Sequence, residues 1–84
     1  YPNPFNNETI ISYELPNTEK AVLSIYNALG QKIKTLVDQY QSPGIYTVYW
    51  DGTDDSGRVV SSGVYFYSLE TPQFVRMRKM VFAQ

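Results

Sequence analysis

Residues 44–67, GIYTVYWDGTDDSGRVVSSGVYFY, constrain the fold more than any other part of the chain: two alternating aromatic runs flank a loop of Asp, Gly and Ser. Tyr46, Val48 and Trp50 recur at period two, as do Tyr65, Tyr67 and Leu69. Each run therefore offers one apolar face to a core and one face to solvent. A helix cannot satisfy that period.

The rest of the chain repeats the pattern. Residues 9–15 alternate, with Ile11, Tyr13 and Leu15 on one face, and Pro16 ends the run because proline cannot donate to a ladder. Residues 20–27 place Ala21, Leu23 and Ile25 together, and Asn27 to Gly30 form the next turn. A third run, 31–37, turns Ile33 inward and is followed by the Pro43-Gly44 turn signal. Residues 45–51, a short piece at 58–60, 64–70 and 74–82 complete the series. About seven short strands at spacings of roughly 8 to 12 residues predict an all-β fold, an Ig-like antiparallel β-sandwich. Residues 1–84 read as one domain, with 1–8 as a linker-like lead-in.

Composition limits what such a domain can do. The 84 residues are 43% hydrophobic and 18% charged, too apolar for a disordered tail and enough for a thin core. A net charge of −1 provides no basic field for phosphate backbones, so no nucleic-acid partner is expected. No apolar run approaches the ~18 residues of a membrane helix, and no direct membrane insertion is expected. The first residue is Tyr1 rather than Met, which reads as a piece of a larger protein.

Histidine and cysteine are both absent. That removes the common general base, the thiol nucleophile and most transition-metal ligands, so no enzymatic activity and no cofactor are expected. Asp51, Asp54 and Asp55 are the carboxylate cluster and the candidate calcium ligands. An EF-hand count from Asp51 meets Thr53, Ser56 and Ser62 where a carboxylate, a glycine and a glutamate are needed. The plainer reading is a turn in which Asp side chains bond nearby backbone. Tyr26, Tyr49 and Phe66 are the outward aromatics from which a sugar platform could be built, against the alternative that they cover cross-strand neighbours. Arg76, Arg78 and Lys79 make the last strand basic, with Val75 and Met77 alternating against Arg76 and Arg78: either a charge-guarded edge or one that a partner reads by adding to it.

The order YPNPFNNETIISYEL, IYNALGQKIKTLV, GIYTVYWDGTDDSGRVVSSGVYFYSLE and VRMRKMVF resembles the type A C-terminal sorting domain of the type IX secretion system, and a similar pattern is found in the Ig-like domain of flagellar hook-capping proteins. The resemblance implies a non-catalytic address on a parent protein that crosses the outer membrane. Its partners would be the outer-membrane secretion machinery, a sortase-like protease and an upstream cargo domain. The cargo would be exported, passing through the periplasm to the cell surface or the medium. The family's proline motif falls on Pro2, Asn3 and Pro4, its glycine-tyrosine motif on Gly44 and Tyr46 and again on Gly63 and Tyr65, and its basic motif on Arg78, Lys79 and Val81. The alternative is an Ig-like spacer or carbohydrate-binding accessory module of an extracellular enzyme.

Overall fold

The computed structural model describes residues 9–83, which form six strands and no helix. These are β1 (Thr9–Leu15), β2 (Glu19–Asn27), β3 (Lys32–Gln41), β4 (Gly44–Trp50), β5 (Gly63–Glu70) and β6 (Val75–Phe82). β1 and β4 pair antiparallel as one sheet; the second sheet has the order β3-β2-β5-β6, antiparallel throughout. The chain changes sheet after β1, after β3 and after β4, and makes hairpins at β2–β3 and β5–β6. The all-β expectation and the antiparallel sandwich hold.

The strand count is corrected from seven to six among the described residues. The short run expected at 58–60 is a single bridge, Thr53 to Val59. Its backbone groups are engaged inside the loop instead: Asp54 N donates to Arg58 O, Gly57 N to Asp54 O, and Val60 N to Gly52 O. A loop that closes on itself has no free ladder to offer a sheet. β3 runs four residues beyond its expected end, to Gln41, because pairing with β2 continues through Glu19↔Gln41 after the apolar alternation has stopped.

Alternation builds the core. Ile11, Tyr13, Leu15 and Trp50 of the small sheet face Ala21, Leu23, Ile25, Tyr65, Leu69 and Phe82 of the large one, and all are buried. Each fully buried aliphatic contributes roughly 1.5–3 kcal/mol relative to exposure. One-residue slips would turn these faces outward, so the alternating pattern also sets the register.

Candidate functional site

β6 is the most exposed strand, and it is built in two halves. Its register with β5 sets Met80 opposite Tyr65, Arg78 opposite Tyr67 and Arg76 opposite Leu69, so all three lie on the core-facing side. Phe82, on the same side, is fully buried. Arg76 and Arg78 are nevertheless exposed, because β6 is the edge of its sheet. Arg76 lays its guanidinium 4.9 Å from the centroid of the Phe74 ring. On the outer side Lys79 stands opposite Phe66 and Val81 opposite Val64. Val75, Met77 and Val81 are 62%, 56% and 59% exposed. Among the described residues the one ion pair is Lys20–Asp38, so none of the three β6 cations has a carboxylate partner.

The far end of β6 is an anchor. The Phe82 ring centroid lies 5.0 Å from that of Trp50, and Trp50 lies 5.3 Å from Tyr65 in an edge-on contact. Trp50 Nε1 donates to Thr53 O at 2.9 Å, so the indole is buried with its donor satisfied. Gly52 sits directly beneath Phe82 at φ 79°, and a methyl group there would run into the ring. The Trp50-Asp51-Gly52 sequence is thus the seat of the terminal strand.

The two glycine-tyrosine pairs prove to be one structural device used twice. Tyr46 donates its hydroxyl to Ser42 O at 2.6 Å, and Tyr65 donates to Ser61 O at 2.6 Å, each four residues back. Gly44 and Gly63 both adopt φ 155°. Each pair staples the start of its strand to the preceding turn, as a tyrosine corner does. The repeated spacing Ser42, Gly44, Tyr46 and Ser61, Gly63, Tyr65 carries this signal in the sequence; the seryl carbonyl acceptors were the part that sequence reasoning missed. Pro2, Asn3 and Pro4 lie outside the described residues.

The Asp-rich loop is engaged internally. Asp51 Oδ1 accepts from Thr53 N at 3.1 Å and from Thr53 Oγ1 at 2.6 Å. Asp54 Oδ1 accepts from Ser56 N, Ser56 Oγ and Arg58 N at 2.9, 2.7 and 3.0 Å. These bonds hold both carboxyls below the usual range, led by the Thr53 hydroxyl at Asp51 and the Ser56 hydroxyl at Asp54. The loop also docks on β3: Asp55 N donates to Ile33 O, Thr35 N to Asp55 Oδ1, and Lys34 Nζ to Thr53 Oγ1 and Asp54 O. Among the described residues no group of three or more His, Cys, Asp or Glu side chains comes together to hold a metal ion.

The outward aromatics do not share a face. Tyr26 and Phe66 are register partners on the outer side of the large sheet, both half-buried. Tyr49 is exposed on the outer side of the small sheet, across the sandwich from them.

No curated protein and no solved structure matches the chain. The family described as the FlgD Ig-like domain matches residues 3–73, which takes in β1 to β5 and stops before β6. With that match over most of its length, and with two antiparallel sheets closed around one core, the chain belongs to the FlgD Ig-like domain family.

Proposed function

We propose that this domain is a non-catalytic C-terminal sorting domain, an address that directs a parent protein across the outer membrane through the type IX secretion system. The observation that carries the reading is β6: the last strand is an exposed edge with three cations that form no ion pair among the described residues, and it lies beyond the part of the chain that matches the Ig-like family. An Ig-like core needs no such strand chemistry. Strand-edge recognition with charge selection does. On this reading the secretion machinery reads β6, a sortase-like protease is a further partner, and the cargo reaches the cell surface or the medium.

The test is a reporter carrying residues 1–84 behind a periplasmic signal peptide, in hosts with and without a working type IX system. Truncating the last residues would be misleading, because it removes Phe82 from the core. Arg76→Glu, Arg78→Glu and Lys79→Glu together leave every buried side chain in place. Export of the parent fusion only in the competent host, lost in the triple variant while the domain stays folded, is the expected result. Periplasmic retention of the folded parent fusion in both hosts would reject it.

A second reading is an Ig-like spacer or carbohydrate-binding accessory module of an extracellular enzyme, favoured by family membership and by the exposed ring of Tyr49. Retention in both hosts would leave this reading ahead, and glycan binding abolished by Tyr49→Ala would establish its sugar-binding form.

A further inference from the structure

The two edges of the four-stranded sheet are finished differently. The β3 edge is closed by the chain itself: the Asp54-Asp55 segment bonds the backbone at Ile33 and Thr35, while Lys34 reaches Asp54 O and Thr53 Oγ1. A basic strand edge is covered there by an acidic segment. The β6 edge pairs with nothing on its outer side among the described residues. It carries Arg76, Arg78 and Lys79 with no carboxylate on the strand itself. Glu70 stands opposite Val75 and Glu14 lines a shallow cleft with Arg76, but neither forms an ion pair with β6.

We propose that the free edge of β6 accepts an extended acidic segment of a partner protein, added as an antiparallel strand with carboxylates opposite Arg76, Arg78 and Lys79. The site is that of the sorting reading; what is added is the chemistry of the partner. Backbone groups of an unpaired edge supply the ladder, and side chains supply the selection. Alternation then fixes the pattern: acidic residues opposite Arg76, Arg78 and Lys79, apolar residues opposite Val75, Met77 and Val81.

Charge also decides against a second copy. Two β6 strands paired antiparallel about a two-fold axis at Arg78 or Lys79 would set that cation against its own copy, and like charges directly opposite are destabilising. An edge meant only to repel strands gains nothing from three exposed apolar side chains, one between its cations and one on either side of them. An incoming acidic amphipathic strand uses both. β1 is no rival for such a partner, since its exposed side chains are Ile10, Ser12 and Glu14, with no cation among them.

The experiment is an NMR titration of the isotope-labelled domain with a synthetic peptide as long as β6, bearing Glu opposite the three cations and Val elsewhere. A lysine counterpart and anionic phospholipid vesicles serve as the other probes. The acidic peptide is expected to slow amide exchange along β6, to bind more weakly as salt rises, and to bind about tenfold more weakly to the Arg76→Glu, Arg78→Glu variant. The lysine peptide is expected to leave β6 unchanged. Equal binding of both peptides, perturbation confined to β1 or β4, no response of β6, or a response to vesicles alone would overturn the proposal. The sorting reading fails separately: peptide binding at β6 with the folded parent fusion retained in the periplasm of both hosts would reject the address and keep the docking edge.

Discussion

The two ends of the sandwich carry the same local device in different surroundings. At one end Tyr65 closes its corner within a dry cluster with Trp50 and Phe82, where the indole donor is satisfied and all three rings are buried. At the other, Tyr46 makes the same hydrogen bond but stays half-exposed, stacked at 5.4 Å on Tyr13, whose hydroxyl donates to Gln41. Burial raises the Tyr13 hydroxyl pKa despite that bond. The second end also holds Glu19, which pairs with Gln41 in the strand register and buries both carboxylate oxygens without a hydrogen-bond partner among the described residues. The corner bond is local and equal; what surrounds it sets what each end contributes to stability.

Truncation should separate the ends most sharply. Tyr65→Ala is expected to destabilise the domain by about 3–5 kcal/mol, as other buried aromatic truncations do. Tyr46→Ala should cost about 1–2 kcal/mol, because its ring is only partly removed from water. Equal losses in urea denaturation would break the comparison. Glu19→Met should stabilise by about 1–3 kcal/mol, since it removes an unpartnered buried carboxylate at similar length. A melting temperature unchanged or lowered in that variant would show that the buried Glu19 side chain does not weaken the second end.

Tyr46→Phe and Tyr65→Phe sharpen the comparison from the opposite direction. Each removes one hydrogen bond to a seryl carbonyl and leaves the ring, so both should cost about 1 kcal/mol and by similar amounts. The smallest effect lies in the loop next to the Trp50 end. Asp51 and Asp54 have folded pKa values below their unfolded ones, so their contribution is present above about pH 4 and is lost as pH falls through the folded values. Amide exchange at Thr53, Ser56 and Arg58 should quicken on acidification while the amides of β2 and β5 stay protected. Uniform behaviour of both sets would show that the carboxylates do not hold the loop.

Much of the fold was legible. Ile11, Tyr13 and Leu15, or Ala21, Leu23 and Ile25, could be placed in a core by period two alone, because a strand has only two faces. The expected strand at 58–60 went wrong for a physical reason: Val59 and Val60 satisfy strand propensity, but the Asp54 carboxylate and the glycine turns close the loop first. The basic character of the last strand was also visible. That Arg76 and Arg78 share the core-facing side with buried Phe82 was not, since their exposure depends on β6 being an edge.

Period two along the chain set the strand pattern and the all-β class, the composition removed histidine and cysteine chemistry, and the repeated Ser-Gly-Tyr spacing was present without any sign of the hydrogen bonds that make it a corner. Tertiary contacts settled the rest: which corner is buried, that the Asp-rich loop closes the β3 edge, that Gly52 seats Phe82, and that among the described residues β6 is left open with its cations in no ion pair. Those outcomes rest on contacts between residues far apart in the chain, and such contacts exist only once the two sheets have closed on each other.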